Sequence, residues 1–188
     1  MPFNSIAIVS LLIWLLIPVV HWKRKFFFFF LILGLTDVTN FLLIYSFKAV
    51  FFYPYILTSF LLIISLQNRD LVNRFKYYIV AISVCIIYFG GEHSPPFSEV
   101  ILLSLHIIIL IRILYLFVID VGNNLRLNLF YVFLLFYEIT VISKFLNILF
   151  NIVDGAMYFN ITTAFEIFIG LFFLFFRYDN SRIVFQLK

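Results

Sequence analysis

The sequence predicts an all-α protein of the polytopic membrane class. It reads as one bundle of seven transmembrane helices over residues 1–188, amino terminus outside and carboxyl terminus cytoplasmic. Three observations lead there. The 188 residues are 65% hydrophobic and 12% charged, whereas a soluble domain has about 45–50% apolar residues and about 25% charge. There is too little polar side chain to coat a water-facing surface, so lipid must be the solvent for most of the chain. The apolar residues also fall into seven runs near the length that a helix needs to cross a bilayer. Finally, Lys and Arg collect on alternate breaks between those runs. Open strands would leave edge hydrogen bonds unmet in lipid, so the spans are helices.

The first run, 3–20, lacks a basic start and a small-residue cleavage site, and its basic cluster HWKRK comes after it. It reads as a retained helix rather than a signal peptide. The second, 26–47, opens on the phenylalanine run Phe26 to Phe30, read as lipid-facing filler because a bilayer accepts Phe, Leu and Ile almost interchangeably. It carries Thr36, Asp37, Thr39 and Asn40 at its centre. Little but Lys48 parts it from the third run, 50–67. QNRDLVNRFK leads into the fourth, 74–90, which holds Cys85, the single cysteine. One thiol forms no internal disulfide and reads as a small packing residue. Gly90, Gly91, Pro95 and Pro96 predict a loop before the fifth run, 99–119. IDVGNNLR precedes the sixth, 127–150, and NIVDGA the seventh, 157–176. The tail RYDNSRIVFQLK is too short to fold alone.

With this alternation, Lys23, Arg24, Lys25, Arg69, Arg74, Lys76, Arg126, Arg177, Arg182 and Lys188 share one side, and Lys48 stands on the other. Basic loops stay cytoplasmic, which sets the orientation and agrees with an odd number of crossings. The net charge of +4 is explained by these residues facing anionic lipid. No nucleic-acid partner is needed. His21, His93 and His106 are far apart and form no HExxH motif or histidine box, so no metal site and no cofactor is expected.

The informative residues are ionisable groups inside spans: Asp37, Arg112, Glu138, Lys144 and Glu166, with His106 as a further member. Such groups face the bundle interior and pair. At 1.5 Å per residue, Asp37, Glu138 and Glu166 lie about 15–17 Å from the inner helix ends, near the midplane. Asp37 and Asn40 share a face at i and i+3, and Thr162 and Thr163 share one with Glu166 and Gly170. Thr140, Lys144 and Asn147 make a stripe on helix 6, with Glu138 pointing the other way. A helix polar on two faces suits enclosure by neighbours on both sides.

Helix 7 has no lysine for a retinal Schiff base, which excludes the microbial rhodopsins. DVT at Asp37–Thr39 and EIT at Glu138–Thr140 would be equivalent positions in the three-one-three sugar and vitamin transporters, although helix 1 lacks that family's Pro-Gln pair. The chain also resembles small uncharacterised seven-helix integral membrane proteins of Bacteroidota. The likeness lies in length, in an acidic residue in helix 2, and in an aromatic-rich helix 6 after a short polar loop, RLNLFYVFLLFYEIT. That resemblance implies a bacterial inner (cytoplasmic) membrane location and no particular activity.

Two functions compete. One is a non-enzymatic accessory or signal-transmitting subunit of a membrane assembly, with Asp37, Asn40, Arg112, Glu138, Lys144 and Glu166 stabilising the bundle or docking a protein partner or a second copy. The other is a small proton- or cation-coupled transporter using the midplane carboxylates, with Arg112 as counter-charge. An enzyme is not expected, and no catalytic residue is assigned. Glu92 beside His93 reads as solvated loop.

Overall fold

The computed structural model describes residues 5–47, 52–67, 69–89 and 95–186. Over these residues seven α-helices form: α1 (Ser5–Val20), α2 (Phe27–Phe47), α3 (Phe52–Ser65), α4 (Arg69–Phe89), α5 (Pro95–Asn124), α6 (Leu129–Phe150) and α7 (Gly155–Phe175). The helical class and the seven elements agree with the apolar runs. Phe97–Asn124, Leu129–Phe150 and Gly155–Phe175 are long and apolar enough to cross a membrane; Ser5–Val20, Phe27–Leu43 and Phe52–Ser65 are apolar but shorter. Lys48, Gly90, Gly91, Glu92 and His93 lie outside the described residues.

Helix ends follow backbone chemistry more than hydropathy. α4 begins at Arg69 rather than near 74, since charged residues end an apolar run without ending a helix. Pro95 and Pro96, expected in a loop, open α5, where the N–H that proline lacks would have no helical partner anyway. Asn128 caps α6, its side-chain oxygen accepting from the Phe130 amide at 3.0 Å. Asn151 ends α6 in the left-handed region at φ 47°, its N–H donating to the Asn147 carbonyl. Asp154 then caps α7 by accepting from the amides of Ala156 and Met157.

The packing closes a ring. α1 packs on α2 and α7, α2 on α3, α3 on α5, α5 on α6, and α6 on α7. The ring order is therefore α1, α2, α3, α5, α6, α7. α4 joins chiefly through α3 and leaves most of its described side chains exposed. Exchanging α1–α3 with α5–α7 maps the α3–α5 contact onto the α7–α1 contact. Two three-helix units joined by a linker helix would pack in this order.

Close approach in the ring relies on two glycines. A Cβ on Gly34 of α2 would stand 2.8 Å from the Trp14 carbonyl oxygen of α1, and one on Gly170 of α7 would stand 2.7 Å from Ile13 Cγ2. The core between them holds Trp14, Ile17, Phe130, Leu134, Ile169 and Phe173. The phenylalanine run departs from its expected lipid-facing role. Phe26, Phe29 and Phe30 are at most 2% exposed. Their i, i+3, i+4 spacing puts them on one arc at the start of α2, Phe26 standing just before its first residue, and Phe30 meets Phe173 with ring centroids 5.0 Å apart. Phe28, off that arc, is exposed. Cys85, expected to pack, is exposed on α4, because that helix has few neighbours.

The tail differs as well. β1 (Arg126–Asn128) pairs antiparallel with β2 (Val184–Gln186), so Asn128 lies opposite Val184 and Arg126 opposite Gln186. Too short to fold alone, the tail folds on the bundle end. Asn128 Nδ2 donates to the Tyr178 carbonyl at 3.0 Å, Ile183 is buried, and Arg24 pairs with Asp179 at 2.5 Å.

Candidate functional site

Two polar groups sit at mid-helix on opposite faces of α6. α6 packs between α5 and α7, so Lys144 can face α7 while Glu138 faces α5.

The first group joins α2, α6 and α7. Lys144 Nζ donates to Glu166 Oε2 at 2.6 Å, with side chains 19% and 11% exposed. The ammonium also lies 4.9 Å from the Phe159 ring centroid. The charges of Glu166 and Lys144 both act on Asp37, and the charge of Asp37 acts on the Tyr55 hydroxyl of α3. Phe30, Leu33, Asp37 and Asn40 fall on one stripe of α2 at heptad spacing. Phe30, Leu33 and Asn40 are buried, yet Asp37 between them is exposed. Two further polar groups lie one turn from these carboxylates. Asn40 Nδ2 and Thr163 Oγ1 are buried without a hydrogen-bond partner among the described residues. Asn40 is one turn from Asp37, and Thr163 one turn from Glu166.

The group holds two carboxyl groups and one ammonium. Lys144 takes Glu166, which leaves Asp37 without a cation among the described residues. Arg112 does not supply it. Its Nε and Nη2 both reach the Leu66 carbonyl just beyond α3, at 3.4 Å, and its guanidinium lies 5.1 Å from the Tyr115 ring centroid. Arg112 sits three turns from the carboxyl-terminal end of α5 and reaches the carbonyl of Leu66, just beyond α3.

The second group joins α3, α5 and α6. His106 Nδ1 lies 2.5 Å from Glu138 Oε1, and His106 Nε2 lies 3.1 Å from Ser59 Oγ. Ser59 Oγ also donates to the Tyr55 carbonyl at 2.8 Å. Glu138 is fully buried, and Ser59 and His106 nearly so. Sequence reasoning noted His106 and missed Ser59. A serine in an apolar helix usually bonds its own i−4 carbonyl, as Ser83 and Ser104 do, so its type and position carry no signal of a long-range partner.

A third polar group holds together the bundle end that carries the tail. Asp120 Oδ1 accepts from Asn124 Nδ2, Arg126 Nη2 and the Tyr178 hydroxyl at 2.8–3.3 Å. The hydrogen bond to Asp120 raises Arg126 above its ordinary range. Lys25 Nζ donates to the Tyr131 hydroxyl at 2.9 Å and lies 4.8 Å from the Tyr178 ring centroid. Burial pulls this lysine below its usual value. These contacts join the α1–α2 connection, the α5–α6 connection and the tail, and their role is to clamp that end.

No protein-family model matches the chain, no curated protein resembles it, and no solved structure matches it.

Proposed function

We propose that the chain is a seven-span protein of the bacterial inner membrane, amino terminus outside, acting as a small proton- or cation-coupled transporter. The observation that carries this is Asp37: an exposed carboxylate on the inward stripe of α2, beside the Lys144–Glu166 pair. A carboxylate at mid-helix in lipid is costly, and one that water reaches can hold a cation instead. The unpartnered Asn40 amide and Thr163 hydroxyl would complete the shell of a small solute. The six-helix ring of two three-helix units gives two bodies that can rock against each other around a fixed site. Lys144 would hold Glu166 while the site is empty, and an arriving cation would compete with it.

The test is reconstitution in liposomes, with an internal pH dye and a panel of alkali cations and small organic amines. Flux driven by an ion gradient, lost in Asp37→Asn, is the expected result. Silence across the panel in the wild type, together with a stoichiometric partner in mild detergent, would replace it with the accessory-subunit reading. The exposed length of α4, which packs chiefly on α3, favours that second reading. Orientation is tested separately in a Cys85→Ala background. Asp154→Cys should label with an impermeant maleimide in intact cells, and Ser181→Cys only after lysis.

A further inference from the structure

We infer that Glu138, His106 and Ser59 form a buried proton-binding site, in which release of one proton reverses the hydrogen-bond direction of the Ser59 hydroxyl. The Tyr55 carbonyl can only accept, so at 2.8 Å the Ser59 hydroxyl donates to it. The Ser59 oxygen is then an acceptor for His106, so Nε2 carries a hydrogen at 3.1 Å. That leaves Nδ1 facing Glu138 Oε1 at 2.5 Å. Two lone pairs cannot meet at that distance, so one proton lies between them, on the ring or on the carboxyl. Either placement leaves the pair neutral overall, which suits a site with no exposed surface on Glu138.

When that proton leaves, the arrangement must change. The imidazole hydrogen moves to Nδ1 to meet the Glu138 carboxylate. Nε2 becomes an acceptor, and Ser59 turns from the Tyr55 carbonyl to donate to it. One proton is released from either starting placement: the ring is left with a single hydrogen, Glu138 is left as a carboxylate, and the pair goes from neutral to one net negative charge. The protonation state of the His106–Glu138 pair thus decides whether the Ser59 hydroxyl donates within α3 or across to α5, at the junction between the two halves of the ring. Among the described residues, the groups that face Ser59, His106 and Glu138 from the packed elements are few. α6 brings Tyr137, whose hydroxyl feels Glu138, Glu166 and Asp37, and Phe145, whose ring centroid is 5.2 Å from that of His106. The basic groups on these helices are occupied elsewhere, Arg112 at the Leu66 carbonyl and Lys144 at Glu166.

A serine, a histidine and a carboxylate in this order also make the nucleophile, base and orienting group of hydrolases. Here Ser59 lies inside α3, where backbone N–H groups are spent on the helix and cannot form an oxyanion hole. The chain is sealed on all three members, which suits proton storage.

The site does not depend on Asp37 carrying a solute, and its test is independent of flux. The full chain would be labelled with ¹⁵N-histidine in lipid nanodiscs, with His106→Gln assigning the signals. Hydrogen on Nε2 at low pH, moving to Nδ1 as pH rises, is expected in the wild type and should be absent in Glu138→Gln. Should the glutamine variant not fold, Glu138→Asp keeps the carboxyl but withdraws it, and should move the midpoint of the switch. A single tautomer at every pH in the wild type, or a switch unaffected by changing Glu138, would overturn the inference. Labelling of Ser59 by a fluorophosphonate, lost in Ser59→Ala, would overturn it in favour of a nucleophilic site.

Discussion

Removing the Lys144 ammonium tests whether the Lys144–Glu166 pair holds the bundle. The replacement Lys144→Met keeps most of the side-chain volume and deletes the charge. The pair is tight, at 2.6 Å, and both side chains are mostly covered, at 19% and 11% exposure. Without the ammonium, Glu166 stays at mid-helix beside Asp37, whose charge acts on the same region. Breaking one side of such a pair costs about 3–5 kcal/mol, because the remaining carboxylate is left buried and unpaired. Replacing both partners avoids that cost, so Lys144→Met with Glu166→Gln should fall within about 1 kcal/mol of the wild type. The coupling energy in the double-mutant cycle should then exceed about 2 kcal/mol. The assay is reversible unfolding in mixed micelles, followed by circular dichroism. Two single variants costing under about 0.5 kcal/mol each, and adding in the double, would show that the pair is solvated. The geometry around Asp37 would then be wrong.

Three more outcomes follow from the packing. Gly34→Ala should cost about 1–3 kcal/mol, because its Cβ meets the Trp14 backbone oxygen at 2.8 Å, while Gly170→Ala should cost less, since the Ile13 side chain can rotate away; thermal unfolding in detergent compares the two. Asn128→Ala removes the α6 cap and the bond to the Tyr178 carbonyl, a loss of about 2 kcal/mol, and trypsin should cut faster at Arg182 in the released tail. Burial holds His21 below its ordinary value of 6.5. Its Nε2–H donates to the Phe173 carbonyl at 3.0 Å, and Nδ1 has no partner among the described residues. Above pH 6.5 the folded and unfolded chains both hold it neutral. As pH falls through 6.5 the unfolded chain takes up the proton first, so stability drops on the acid side. His21→Gln should flatten that limb of the stability–pH curve, and an unchanged limb would assign it to another group.

Composition and the spacing of charges were enough to specify an all-helical chain and its seven elements. Both are local properties: a run of apolar residues must satisfy its own backbone, and only a helix does so alone. The two-faced character of α6 was also legible, since the angle between Glu138 and Lys144 follows from helical periodicity. Which neighbour each residue meets was not. Arg112 and Asp37 carry opposite charges, yet the side chain of Arg112 reaches the end of α3, and Lys144 takes the carboxylate. Pairing depends on where helices far apart in sequence cross, and no periodicity encodes that. The phenylalanine run shows the same limit. Its abundance suits lipid, but tertiary packing buries Phe26, Phe29 and Phe30 and leaves Phe28 outside. Ser59 and His106 meet across α3 and α5, 47 residues apart, and the tail gains a strand only because β1 offers an edge beside it. The sequence alone therefore determined the helices and their apolar character, because backbone satisfaction acts within each segment. Only the tertiary structure decided partners, because a buried polar group is satisfied by whatever the packing order brings within about 3 Å.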